Sequence, residues 1–260
     1  MKWVFSAMPC LFSALIWVIH AMKRLFNDKL TLGINMKHKI IVKKSRVLAR
    51  AYHNLTLIEN RFINMCIGRT HKSTVVNEDT QLLVKVDRFA CEFEITEKEA
   101  RKQFKEIQKK LPNKTIILPE VGLEPIILVT EVEYSNNNEF YVKFDVKAIN
   151  HVGNLRSKFI MYDISMINGM KSTYSIRLYE IFLTKKYGKG IQDLDIGVNE
   201  LKMMLGVADK YSNIGDFNSI LYKSIDEINE LTDLTSKIEY KRRKTTIVGY
   251  IFKLEEKAKD

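Results

Sequence analysis

Cysteine is almost missing from this 260-residue chain: its three thiols, Cys10, Cys66 and Cys91, lie far apart with no paired spacing. That excludes a disulfide framework and a zinc ribbon, and points to a reducing compartment. Only 4 prolines and 11 glycines are present, which excludes collagen-like and low-complexity chains. The five histidines, at 20, 38, 53, 71 and 151, form no H-x-H or H-E-x-x-H pair. No metal site of that kind is therefore on offer, and a rolling-circle nicking enzyme would want one beside a nucleophilic tyrosine. The phosphate loop G-x-x-x-x-G-K-[ST] is also absent, because GRTHKST at 68–74 has the wrong spacing, which argues against ATP-driven unwinding by this chain. The sequence implies no cofactor, no metal and no catalytic residue.

What is present is a globular composition, 46% hydrophobic and 28% charged, with a net charge of +11. The length allows one large domain or two small ones, each with its own core. The charge is uneven: residues 1–35 carry +3, 36–50 carry +6, 51–235 carry −2 and 236–260 carry +4. A polyanionic partner would be met at the ends or along local stripes.

Residues 3–22 are nearly all apolar and are followed by Lys23 and Arg24. Twenty such residues just cross a hydrocarbon core of about 30 Å, and the trailing basic pair would leave the body in the cytoplasm. Pro9, His20 and two serines weaken that reading, and no A-x-A cleavage site is present. Three readings of 1–35 stay open: a membrane segment, upstream sequence preceding a natural start at Met36, or a soluble apolar helix.

The remaining residues show one order of elements twice. The first copy predicts a helix over 55–67, a strand at 82–86, a brief helix at 86–93 and a helix over 96–111. Thr96 with Glu99 opens that last helix as a capping box. Strands follow at 115–118, 126–134 and 139–146. The second copy predicts a helix over 172–187 ended by Gly188 and Gly190, a strand at 193–196, and a helix over 198–205 stopped by Gly206. A long helix over 216–231 comes next, then two strands joined at a basic tip. Helix, strand, helix, turn, helix and a two-stranded wing is the winged helix-turn-helix plan, whose third helix enters the major groove in DNA-binding versions. The expected class is α+β, as two tandem winged helix-turn-helix domains over 36–165 and 166–260, behind the 1–35 leader.

In the helix over 96–111, Ala100, Phe104, Ile107 and Leu111 fall on one face, and Lys98, Arg101, Lys102, Lys105 and Lys109 form a basic stripe on the other. In the helix over 216–231, Phe217, Ile220, Leu221, Ile225, Ile228 and Leu231 make the core stripe. Asn218, Ser219 and Lys223 lie opposite, near the end where the helix dipole favours phosphate. Either outer face alone reads as a solvated charged surface; both at equivalent positions of a repeated plan point to DNA. Lys241, Arg242, Arg243 and Lys244 crowd the tip of the last hairpin, as a wing reaching a phosphate backbone would, or as a tip kept soluble by its charge.

YSIRLYEIF (174–182), NELKMMLGV (199–207), GDFNSILYKSIDEINELTDL (215–234) and the basic hairpin resemble the Rep-type initiators of plasmid replication, the theta-replicating, iteron-binding kind. Upstream, LTLIENRFINM (55–65) and KVDRFACEF (85–93) resemble segments of their first domain. The resemblance implies a protein that binds tandem repeats in double-stranded origin DNA, helps to open the duplex, and recruits the host initiator and replicative helicase. It implies a monomer on the repeats and a homodimer that represses its own gene, in the bacterial cytoplasm. Carried onto this chain, it assigns DNA contacts to Lys210, Asn213, Asn218, Ser219, Lys223 and the 241–244 wing, supplemented by the Arg101-centred stripe. Arg177 and Glu180 read as a structural salt link. A winged-helix transcriptional regulator without replication activity is the alternative, and a nicking enzyme the third reading.

Overall fold

The computed structural model describes residues 39–258, apart from 71–75, 136 and 189. The apolar run at 3–22 and Met36 lie outside the described residues. Strand β1 (Ile41–Ser45) pairs antiparallel with β7 (Phe159–Asp163), Ile41 opposite Asp163 and Ser45 opposite Phe159. Ser45 ends the strand by accepting the Leu48 N–H at 3.0 Å, which caps the short helix α1 (Arg46–Ala49).

The first winged helix begins at α2 (Leu57–Thr70). Thr56 Oγ1 accepts from the Glu59 N–H and Glu59 Oε2 accepts from the Thr56 N–H, a reciprocal box. Then come β2 (Leu82–Lys85), α3 (Val86–Glu92) and α4 (Glu97–Lys110). Thr96 caps α4 by accepting from the Glu99 N–H at 3.2 Å, and Ala100, Phe104, Ile107 and Leu111 are buried, as the spacing predicts. The strands are β3 (Thr115–Ile117), β4 (Pro125–Ile127), β5 (Val129–Ser135) and β6 (Glu139–Phe144), followed by α5 (Val146–Val152). The core is aromatic: Phe104 meets Phe62 at 4.9 Å and both Phe89 and Phe140 at 4.7 Å, edge to face.

The second winged helix comprises α7 (Thr173–Leu183), reached through α6 (Ser165–Asn168), then the hairpin β8 (Lys186–Tyr187) and β9 (Gly190–Ile191). It continues with β10 (Leu194–Gly197), α8 (Val198–Met204), α9 (Ile214–Leu231), β11 (Leu234–Arg243) and β12 (Thr246–Glu256). Its sheet runs β10–β12–β11, and that of the first copy runs β2–β6–β5. The two orders are the same, so the repeated plan holds at the level of topology.

Several predicted elements differ in extent from the fold, the helix expected over 55–67 running from Leu57 to Thr70, and three of them show why. The strand expected over 126–134 is two strands, because β4 pairs with β3 and β5 with β6. Leu128, buried between them, uses its carbonyl to receive the Asp145 N–H. The strand expected to reach 146 stops at Phe144, because Asp145 turns to cap α5 by accepting from the Lys147 N–H. The helix expected through 187 ends at Leu183: Thr184 Oγ1 donates back to the Ile181 carbonyl, and the chain then folds over itself around Gly188 at φ +58°.

Helix α7 is buried from Ser175 through Leu183. At its centre the Glu180 carboxylate receives Lys44 at 2.5 Å, Tyr162 at 2.7 Å, Asn64 at 3.2 Å and Arg177 at 3.3 Å. Arg177 also donates to the carbonyls of Ala51 at 2.6 Å and Met204 at 3.2 Å. The expected salt link is therefore a buried knot that ties β1, α2, β7 and the end of α8 to α7. Beside it, Gly206 sits at φ +68° with its Cα so close to the 53–54 segment that a Cβ would fall 2.1 Å from the His53 carbonyl oxygen.

Candidate nucleic-acid interface

Helix α9 is positioned by its apolar stripe. Phe217, Leu221, Ile225 and Ile228 are buried against α7 and the sheet, while Ile220 and Leu231 are only partly covered. The same periodicity leaves Asp216, Ser219, Tyr222, Lys223, Asp226 and Glu230 exposed. Asp226 and Glu230 make the C-terminal half of this face acidic, and Asp216 is the exposed acid of the first turn, where the unpaired N–H groups of the helix start lie.

The structure divides the residues named from the sequence into two groups. Lys210, Lys223, Lys98, Lys102 and Lys105 are exposed, and none makes an ion pair with a described residue. The stripe from 98 to 105 on α4 covers roughly 10 Å of helix at 1.5 Å per residue, so it can follow successive phosphates. Arg242, Arg243 and Lys244 are exposed at the β11–β12 turn, where Lys244 adopts φ +57°. Arg242 stands over the Tyr240 ring at 5.4 Å and donates to the Thr245 carbonyl.

The second group is held by the protein's own contacts. Lys241 Nζ binds both carboxylate oxygens of Asp195 on β10 at 2.8 Å, across the sheet. Arg101 donates to Glu97 at 2.7 Å and to Asn138 Oδ1 at 3.0 Å, which fastens α4 to the β5–β6 turn. Asn213 is the cap of α9, accepting from the Gly215 N–H at 2.9 Å. Asn218 Oδ1 accepts from the Tyr250 hydroxyl at 2.8 Å, and Ser219 donates to the Gly215 carbonyl at 3.0 Å. Asn213, Asn218 and Ser219 thus shape the start of α9.

Sequence reading missed the tyrosines that join helix to wing. The Tyr222 hydroxyl on α9 meets the Tyr240 hydroxyl on β11 at 2.5 Å, and the Tyr240 ring lies 6.0 Å from Tyr250. Burial, then the bond to Tyr222, pushes the Tyr240 phenol up to about 12. The Tyr240 hydroxyl stays protonated at neutral pH, and one hydroxyl of the pair donates to the other. Tyr222 at i+3 from Ser219 on the outer face was the available signal; its partner on the wing required the strand register. Among the described residues no group of three or more His, Cys, Asp or Glu is placed to hold a metal ion.

Comparison with known proteins gives a consistent result. The family model described as Initiator Replication protein, WH1, matches residues 41–183, and that described as Initiator Rep protein, WH2, matches residues 197–254. A replication initiation protein of Escherichia coli is 21% identical over 225 residues, which cover 84% of this chain and 70% of that protein. The crystal structure of the Pi initiator protein in complex with iteron DNA superposes with a TM-score of 0.70 at 21% identity, covering 85% of this chain and 99% of that one. The fold is thus that of a known initiator with two winged helices.

Proposed function

The chain belongs to the family of initiator replication proteins, carrying both of its winged-helix modules, and we propose that it starts plasmid replication by gripping tandem repeats in double-stranded origin DNA. The similar Pi initiator was crystallised with iteron DNA, which supports the same class of target here. One observation carries the reading. Two third helices at equivalent positions of one topology each present lysines, Lys98, Lys102 and Lys105 on α4 and Lys223 on α9, that no described carboxylate neutralises. The exposed arginines at the wing turn, which no described carboxylate pairs, extend the second of these surfaces.

In this reading α9 supplies base-edge contacts from Asn218, Ser219 and Lys223, with Lys210 and the wing on the flanking phosphates. The α4 stripe adds phosphate contacts a module away. Opening of the duplex, recruitment of the host initiator and replicative helicase, and repression of its own gene by a homodimer belong to the same proposal. So does a bacterial cytoplasmic location. Among the described residues no helix is long and apolar enough to cross a membrane. The protein acts by binding rather than by catalysis, a reading supported by the lack of a phosphate loop and of paired histidines in the sequence.

The test is salt-dependent binding of the chain to duplexes carrying the direct repeats beside its gene, against scrambled duplexes. A preference of about a thousandfold or more is expected. Replacing Arg242, Arg243 and Lys244 by alanine should lower the slope of log affinity against log salt by roughly 0.9 per lost phosphate contact. Equal, weak and salt-sensitive binding to both duplexes would sink the origin reading. Preference for one palindrome at a promoter, with none for direct repeats, would favour the regulator instead.

A further inference from the structure

A second cationic surface lies where the two modules meet, on elements that the reading helices do not use. A cleft of about 470 Å³ is lined by Arg46, Arg50, Glu120, Lys158, Lys185 and Tyr187, within the size range of small-ligand sites. Arg46 and Arg50 come from the two ends of α1, Lys158 from the residue before β7, and Lys185 and Tyr187 from the fold-back after α7.

The cations in it are not equivalent. Arg50 is spent, since its guanidinium pairs with Glu120 at 3.4 Å and Glu200 at 3.0 Å. Arg46 has no carboxylate: it is stacked over the Tyr187 ring at 4.1 Å, donates to the Lys186 carbonyl at 2.5 Å, and leaves a buried Nε without a partner. The Lys158 carbonyl accepts the Arg46 N–H at 2.9 Å, which pins these two residues side by side. Neither Lys158 nor Lys185 makes an ion pair with any described residue. Three positive charges therefore line one concave site with only an already engaged carboxylate among them, an arrangement that repels itself until an anion enters.

We propose that this cleft binds a small polyphosphate anion, held by Arg46, Lys158 and Lys185. The planar fork of Arg46, fixed by Tyr187, suits two phosphate oxygens, and the lysines add mobile point charges. Its place in the fold sets it apart from the wing turn. Lys186 pairs with Glu256 at the last residue of β12, whereas the wing turn precedes Thr246 at the other end. About 30 Å of extended strand separates the two at ~3.3 Å per residue, so the phosphates that the wing itself touches lie outside the cleft, and the repeat-DNA arm of the experiment separates a free ester from a more distant stretch of the duplex. The ligand would bridge β1–α1 to the end of α7, the helix that carries the buried Glu180 knot. This proposal stands apart from the origin reading.

The experiment is isothermal titration of the full chain with inorganic triphosphate at about 0.15 M salt, and with Lys158→Ala/Lys185→Ala. Both lysines lie outside the core, so the double variant keeps its fold, which circular dichroism checks. Saturable binding of triphosphate, weakened at least tenfold in the variant while affinity for repeat DNA stays within twofold, is the expected result. No saturable binding, or binding that the variant leaves unchanged, overturns the proposal. So does a variant that loses repeat-DNA affinity in parallel, since the phosphate would then belong to the duplex. Failure of the origin reading shows itself differently, as loss of preference for the repeats with the cleft untouched.

Discussion

Replacing Glu180 by glutamine isolates the centre of the molecule with one atom's change. The carboxylate is fully buried and receives four donors, Lys44 and Arg177 among them charged. Burial by itself pushes its carboxyl up, but the charges of Lys44 and Arg177, with hydrogen bonds from Lys44 and Tyr162, outweigh that and hold it below the ordinary carboxylate range. Glutamine keeps the shape and loses the charge. Its NH₂ must then face either Arg177 or the group formed by Lys44, Tyr162 and Asn64, all of them donors, and two buried cations are left without a counter-charge. Breaking a buried pair in this way costs about 3–5 kcal/mol, a large part of the roughly 5–15 kcal/mol that a folded protein has. With a urea slope of about 2–3 kcal/mol/M, the midpoint followed by circular dichroism should fall by roughly 1–2.5 M. Glu180 lies away from both reading helices, so DNA affinity of the folded variant should stay at the wild-type level. A midpoint shift below ~0.4 M would refute the reasoning, because it would mean that the knot is solvated or neutral.

Three further outcomes are expected. Burial first, then the positive charges of Arg177, Lys44 and Lys114, hold His53 well below its ordinary 6.5. Its stabilisation is complete above the unfolded value of about 6.5 and is lost as pH falls toward the folded value. Urea midpoints should therefore drop between pH 7.5 and 5.5, and His53→Gln should flatten that dependence. Tyr222→Phe and Tyr240→Phe should each change stability by no more than ~0.5 kcal/mol yet weaken repeat binding by about 1 kcal/mol. The double variant should be no worse than either single one, which a double-mutant cycle reads directly; full additivity would show that the two hydroxyls act apart. Gly206→Ala forces a Cβ onto the His53 carbonyl at a positive φ and should cost at least ~2 kcal/mol in thermal or urea unfolding; an unchanged midpoint would contradict the close approach.

The repeated helix–strand–helix–helix–wing order was legible because it rests on local rules. Apolar residues at 100, 104, 107 and 111 and at 217, 221, 225 and 228 can lie on one side only of a 3.6-residue helix, and whatever remains must face outward. Thr96 caps its helix from three residues away. The Arg177–Glu180 link is likewise set by i, i+3 spacing. The wing tip was visible as a run of four basic residues, and the outward lysines of α4 followed from the same periodicity as its core.

Tertiary structure decided what lies far apart in sequence. No local signal pairs Ile41 with Asp163, brings Lys44 and Asn64 to Glu180, or sets Gly206 against His53. Nor does any local signal show that Lys241 is consumed by Asp195 and Arg101 by Asn138, or that Tyr222 meets Tyr240. The apparent strand over 126–134 split in two because its halves found different partners. Sequence by itself determined which side chains face outward on each element, since that depends on backbone periodicity alone. Only the fold determined which of those outward charges stay available to a polyanion, because that depends on which carboxylates and carbonyls the other strands bring within about 3 Å.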